Sequence, residues 1–180
     1  MNTIECINTR RSVRKYTDKE ISQESLNNIV KAAAMAPSWK NTQTSRWNII
    51  TDKKLIEKIS NEAVLGFEKN AKTIGRCTCL AVQTVVTGLA GYEPDGSFTT
   101  SKNDGWEMYD AGIAAQTFCL AAHEMGIGTV IMGIIDDVRL AELLDIPDSE
   151  RVIAAIAMGY PEFEPNMPPR KSVEEISRYY

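Results

Sequence analysis

The stretch Trp106-Glu107-Met108-Tyr109-Asp110-Ala111-Gly112-Ile113-Ala114-Ala115-Gln116-Thr117-Phe118-Cys119-Leu120-Ala121-Ala122-His123-Glu124-Met125 is the strongest helical segment of the chain. Its small residues Ala111, Gly112, Ala114, Ala115, Ala121 and Ala122 give it little relief on several faces. A helix apolar nearly all round belongs inside a structure, so 106–125 is expected either at the centre of the fold or against a second subunit. Gly126-Ile127-Gly128 stops it. Thr129 to Ile135 then reads as a short β-rich run containing Gly133, where a missing side chain lets main chain approach a ligand or forms a bulge.

Working outward, helical and extended signals alternate. Upstream, Cys79–Val86 is a valine-rich apolar run suited to a central strand covered on both faces. Between it and the long helix, residues 88–105 lack periodicity and read as a long surface loop with a turn near Tyr92–Ser97, a candidate lid. Helices are expected over 22–35, with Ser22 or Ser25 as cap and Pro37 as terminator, over 53–61 and over 63–73. Trp47–Thr51 alternates as a strand. Downstream come a helix over 136–144 and an apolar strand over 151–158. After Tyr160, Pro161, Pro165, Pro168 and Pro169 impose an extended arm, followed by Arg170-Lys171 and a short helix from Val173 to about Ser177. The first nine residues favour a short helix, with a turn and a second helix after it.

At 180 residues and 43% hydrophobic content, the chain is expected to fold as one domain, 1–180. Lys+Arg 20 against Asp+Glu 24 gives a net charge of −4, which disfavours a broad nucleic-acid or membrane-binding face. Against that background, Arg10-Arg11-Ser12-Val13-Arg14-Lys15-Tyr16 concentrates four cations and a hydroxyl in seven residues. Either it serves one small fixed anion or it is a solvated charge run; the stretch alone does not choose. A secretory signal and a run of roughly 20 apolar residues are both lacking, so cytoplasmic residence is expected. Cys6, Cys77, Cys79 and Cys119 fit neither redox-pair nor zinc spacing and are expected as buried, reduced thiols. The single histidine, His123, leaves most metal centres and Ser/His/Asp or Cys/His machines without partners.

Three further segments join the cationic run. Ala36-Pro37-Ser38-Trp39-Lys40-Asn41-Thr42-Gln43 is a proline-fixed loop that displays a hydroxyl, two amides and an indole, suited to a planar polar ligand. Gly126-Ile127-Gly128-Thr129-Val130-Ile131-Met132-Gly133 and the Arg170-Lys171 pair complete the set. In this order and spacing, from about Ile4 to Ile176, the chain resembles the nitroreductase family of FMN-dependent oxidoreductases. The ending Ala157-Met158-Gly159-Tyr160-Pro161, then Pro169-Arg170-Lys171-Ser172-Val173-Glu174-Glu175-Ile176, is similar to the family's tail.

The resemblance implies an α/β (α+β) fold: a mixed central sheet flanked by helices, a long dimer-interface helix matching Trp106–Met125, and an extended C-terminal arm. It implies a homodimer with two FMN sites at the interface. Arg10, Arg170 and Lys171 would reach the FMN phosphate, with Arg11 in the same binding set; Ser12 would contact the ribityl chain or ring edge, and Arg14 would sit by N1 and O2. Pro37, Ser38, Asn41 and Gln43 would come from the partner subunit, and main chain at Ile131, Met132 and Gly133 would face N5 and O4. An arginine near N1 makes chemical sense, because reduction makes that nitrogen acidic and a guanidinium stabilises the resulting anion.

Two stretches depart from the family's pattern. Thr44-Ser45 stands where Pro-Trp is usual, and Arg76-Cys77-Thr78-Cys79 where Ala-Pro and aliphatics are common. The second departure obscures a further amide and lysine contact, for which Asn70 and Lys72 are candidates. The activity implied is ping-pong hydride transfer from NAD(P)H to an electron-poor acceptor such as a nitroaromatic or quinone. The alternative is an FMN-binding protein that stores, senses or delivers the cofactor. Ring or halide chemistry on flavin and RNA binding through Arg10–Lys15 are further readings; the negative net charge and the lack of an aromatic-rich strand motif count against the last.

Overall fold

The computed structural model describes residues 1–180. Its elements are α1 (Thr3–Thr9), α2 (Gln23–Ala33), β1 (Ser45–Ile50), α3 (Lys53–Glu62), α4 (Glu68–Ile74), β2 (Cys79–Val86), α5 (Gly105–Glu124), β3 (Gly128–Met132), α6 (Asp137–Leu143), β4 (Glu150–Gly159) and α7 (Val173–Ile176). The four strands lie in the order β1-β2-β4-β3, with every ladder antiparallel. One parallel contact extends the sheet, a bridge between Ser12 and Thr129 beside β3.

Burial follows the two-residue period of β2. Leu80 and Val82 join a core with Ile56, Ile59, Ile74 and Leu140 beneath α3, α4 and α6. Cys79 and Ala81 point the other way, into a core with Leu26, Ile29, Phe118 and Ala122 beneath α2 and α5. The central strand is thus covered on both faces, as its composition predicts. Side-chain caps fix the helix starts: Ser22 accepts from Ser25 N–H, Asp52 from Lys54 N–H and Asp136 from Arg139 N–H, and Asn2 forms a capping box with Glu5.

Two boundaries differ from the sequence expectation. The helix expected from residue 63 begins only at Glu68, because Leu65 and Gly66 both take positive φ (49° and 70°) and turn the chain first. The run expected to extend to Ile135 leaves the sheet after Met132. All four cysteines are free and buried, and burial pushes the Cys77 and Cys79 thiols up to about 12.

Helix α5 buries one face only. Glu107, Asp110, Ala111, Ala114, Ala115, Phe118, Cys119 and Ala122 are buried. Met108, Tyr109, Gly112 and Gln116 lie on the opposite, exposed side. The loop between β2 and α5 is fastened rather than free. Gly88 N–H donates to Glu107 Oε1 at 2.7 Å, and Trp106 Nε1–H donates to Thr100 Oγ1 at 2.8 Å. Glu107, 1% exposed, pairs with Arg151 at 2.6 Å, so the fastening is a buried carboxylate held by a half-exposed guanidinium. No helix is long and apolar enough to cross a membrane.

Candidate functional site

The cationic segment is held along the free edge of β3. Val13 N–H donates to Thr129 O at 2.9 Å, and Thr17 N–H to Tyr160 O at 2.9 Å. The Val13 side chain sits directly on Gly128, where an added Cβ would lie 2.6–2.9 Å from three of its atoms. Tyr16 packs on Gly159 in the same manner, with approaches of 2.8 Å. Its phenol oxygen lies 2.6 Å from Val13 O and 3.1 Å from Ala157 O, so one donor is shared by two carbonyls. Burial raises the pKa of this phenol, suppressing its ionisation and keeping it a donor. Two glycines and one tyrosine therefore fix the backbone of residues 12–16 against the sheet.

The charges on that backbone are unpaired. Arg11 Nη1 donates to the carbonyls of Asn8 (2.7 Å) and Arg10 (2.8 Å), and Arg14 Nη1 to Ser12 O (3.3 Å). Arg170 Nη1 donates only to Pro168 O and Pro169 O on its own arm. Neither Arg10, Arg11, Arg14, Arg170 nor Lys171 takes part in any of the seven ion pairs of the structure. Uncompensated cations on a fixed backbone can accept an external anion. The same cations act on His123, whose pKa is lowered by burial first and then by Arg10 and Arg11.

At its other end β3 presents Ile131, 46% exposed, and Met132, buried, and is followed by Gly133, around which a Cβ would meet nothing within 4 Å. The main chain at Gly133 is open to close approach. Asn70 reaches this end of β3, donating from Nδ2 to Ile134 O at 2.9 Å, whereas Lys72 pairs with Glu68 at 2.9 Å in solvent. The sequence leaves these two candidates unresolved; the fold brings in Asn70 by packing α4 under the strand's exit.

The loop of Pro37, Ser38, Asn41 and Gln43 lies elsewhere. Residues 39–41 form a 3-10 turn with Lys40 (φ 43°), Asn41 (57°) and Gln43 (51°) in the left-handed region. Such a conformation costs about 1–2 kcal/mol per non-glycine residue. Offsetting bonds run from Asn41 N–H to Ser38 O (3.0 Å), Thr42 N–H to Trp39 O (2.8 Å) and Gln43 N–H to Ser38 Oγ (3.0 Å). Pro37, Ser38 and Gln43 help line a cavity of about 310 Å³ under α2 and α5.

This loop docks on the start of α5, through Trp39 N–H to Asp110 Oδ2 at 2.8 Å and a Trp39–Trp106 ring contact at 4.7 Å. The cationic segment docks on its end, through Thr9 Oγ1 and His123 Nε2 at 2.8 Å and Cys6 Sγ to Leu120 O at 3.4 Å. From Asp110 to His123 an α-helix rises about 20 Å. Within one chain the structure brings Arg10, Arg11, Ser12 and Arg14 to the Gly128–Thr129 end of β3, and leaves Pro37–Gln43 at the opposite end of α5. The C-terminal arm starts beside Lys15, where Glu162 N–H donates to Lys15 O at 3.2 Å, and lines a cavity of about 730 Å³ with Arg11 and His123 up to Met167. Arg170 and Lys171 follow in solvent.

Comparison with known proteins gives one answer. The sequence model described as the Nitroreductase family matches residues 7–160. The chain is similar to an NADPH-flavin oxidoreductase of Vibrio harveyi, 31% identical over 175 residues, 94% of this chain and 70% of the relative. It is also similar to an FMN reductase [NAD(P)H] of Bacillus subtilis (strain 168), 29% identical over 97% of this chain and 72% of the relative. Among solved structures, a nitroreductase family protein from Clostridium novyi NT superposes with a TM-score of 0.77 at 27% identity, covering 90% of this chain and 86% of its own.

Proposed function

The chain belongs to the nitroreductase family, and from that premise we propose that it is an FMN-dependent NAD(P)H oxidoreductase that works as a homodimer. The observation that carries this reading is the placement of two half-sites at opposite ends of α5. The exposed side of α5, with Met108, Tyr109 and Gly112, offers a face for a second copy. Two such helices crossing antiparallel near Gln116, exposed and midway between Asp110 and His123, would carry each loop 37–43 to the other subunit's β3 edge.

The residues present fit FMN. Arg10, Arg11, Arg170 and Lys171, unpaired in the chain, suit a phosphate that carries close to two negative charges. Ser12 and the open main chain at Ile131, Met132 and Gly133 suit the polar edge of a flat ring, and Arg14 suits stabilisation of its reduced, anionic form. Pro37, Ser38, Asn41 and Gln43 of the partner subunit would complete the enclosure; the side-chain amides of Asn41 and Gln43 are exposed and available to a ligand. When bound, FMN supplies the hydride chemistry, which is why no protein nucleophile or general base is required. The chain's own residues bind, orient and tune.

The donor is a reduced nicotinamide and the acceptor an electron-poor compound of the nitroaromatic or quinone class, both small molecules reaching one open face in turn. Residues 1–180 act as one domain, and the four free thiols suit a reducing cytoplasm. The purified protein is expected to be yellow and to lose its flavin absorbance on anaerobic mixing with NADH or NADPH. Colourless protein that ignores added FMN refutes the reading; tight FMN binding without bleaching by either nicotinamide turns it into the storage or sensing alternative.

A further inference from the structure

The loop 37–43 does not keep its shape through its own sequence. It contains no glycine, yet Lys40, Asn41 and Gln43 all sit at positive φ. Its internal bonds tighten the turn without fastening it to the body. Arg46 Nη1 donates to Gln43 O at 2.7 Å where the loop runs into β1, and three contacts fasten the turn ahead of it. The Lys40–Glu93 ion pair joins side chains that are 54% and 37% exposed, where water and salt leave little net attraction. The Trp39–Trp106 contact is apolar and tilted at 43°, so it tolerates sliding. The third is directional: Asp110 Oδ2 accepts the Trp39 N–H at 2.8 Å.

Asp110 is an expensive residue to place there. It is 4% exposed, takes part in none of the ion pairs, and lines the 310 Å³ cavity beside Ala33, Ala114 and Trp47. Its neighbours on the same face of α5 are Glu107, Ala111 and Ala114, which offer it no cation. Burial raises its pKa, which is the same cost seen from the proton's side. Its one hydrogen-bond partner, the Trp39 N–H, is what the carboxylate is placed to hold.

We propose that Asp110 is a positioning residue for the cofactor: by holding the Trp39 amide it sets the left-handed turn from which Asn41 and Gln43 reach the FMN bound against the partner subunit. The inference rests on the FMN reading above and assigns a role to a side chain that touches no ligand. Its signature is a split, in which cofactor affinity and fold stability respond in opposite directions.

The test compares full-length parent, Asp110→Leu and Asp110→Asn. FMN affinity is read from flavin fluorescence quenching, stability from melting of the apo protein, and loop order from hydrogen exchange at the Trp39 amide. Asp110→Leu is expected to bind FMN about tenfold more weakly or worse, the loss of one hydrogen bond to a charged group. Its Trp39 amide exchanges faster, and its apo melting temperature does not fall below the parent's. Asp110→Asn keeps an oxygen acceptor and restores most of the affinity and protection. Unchanged affinity or unchanged Trp39 exchange in Asp110→Leu overturns the proposal, as does a melting temperature that falls in step with affinity. A parent that binds no FMN overturns the underlying reading as well, and the two failures are distinguished because Trp39 exchange is measured without flavin.

Discussion

Gly128→Ala separates two opposing effects by sign. Gly128 does not need a positive φ, so alanine is conformationally acceptable there and, through the unfolded chain alone, stabilises by about 0.4–1 kcal/mol. The native contact argues the reverse. The new Cβ would lie 2.6 Å from Val13 Cγ2, 2.7 Å from Cβ and 2.9 Å from Cγ1. The Val13 Cβ cannot rotate away, so relief requires the backbone to retreat by about 0.7 Å to reach ordinary contact near 3.4 Å. That retreat stretches the 2.9 Å bond from Val13 N–H to Thr129 O past hydrogen-bonding range. Overpacking costs about 1–3 kcal/mol and the lost bond about 1 kcal/mol, so after the unfolded-chain gain a net destabilisation of about 1–3.5 kcal/mol is expected. Because Ser12 and Arg14 flank Val13, FMN affinity should fall with it.

Urea unfolding of the apo protein gives the first quantity and a flavin titration the second. Adding Val13→Ala removes two of the three clashing atoms, so the double variant should be less destabilised than the separate effects predict. A Gly128→Ala protein as stable as the parent or more so, with unchanged affinity, refutes the claim that this glycine seats the cationic segment.

The remaining predictions concern charge. Arg10→Ala should weaken FMN binding by about 10- to 150-fold, the worth of a charged hydrogen bond, in a fluorescence titration. Arg14→Ala should lower the two-electron midpoint by about 30–60 mV in a dye-equilibrated redox titration, with a smaller loss of affinity than Arg10→Ala. Arg151→Ala strands the buried Glu107 carboxylate and should cost about 3 kcal/mol in urea unfolding; Arg151→Ala with Glu107→Gln should recover part of it. His123, whose native pKa is lowered below its unfolded value, contributes stability that is full above about pH 6.5 and declines as pH falls through the native pKa. Melting scans between pH 5 and 8 should show the decline, and His123→Gln should flatten it.

The sheet order is the part of this fold that no local pattern carries, since β4 is inserted between β2 and β3 only by long-range pairing. The strands themselves were legible because Cys79–Val86 and the run from Arg151 to Met158 are apolar and bounded by turns. Leu65-Gly66 was not, because a positive φ at leucine has no composition signal. At the site, the unpaired arginines and the amide loop stand out in the sequence as polar groups in excess of what a fold needs. Asp110 does not, since an acidic residue within a helix reads as surface until its burial is known. Asn70 needed the packing of α4 against the exit of β3, a contact spanning 64 residues.

The division of the site between the two ends of α5 has a genetic consequence. Each flavin cradle would take its arginines from one polypeptide and its amide loop from the other, so Arg10→Ala and Asn41→Ala damage different halves. In a mixed dimer of these two variants both lesions fall in one cradle and the other is wholly wild type. Co-expressed in equal amounts, two defective alleles should therefore complement, restoring about a quarter of all cradles.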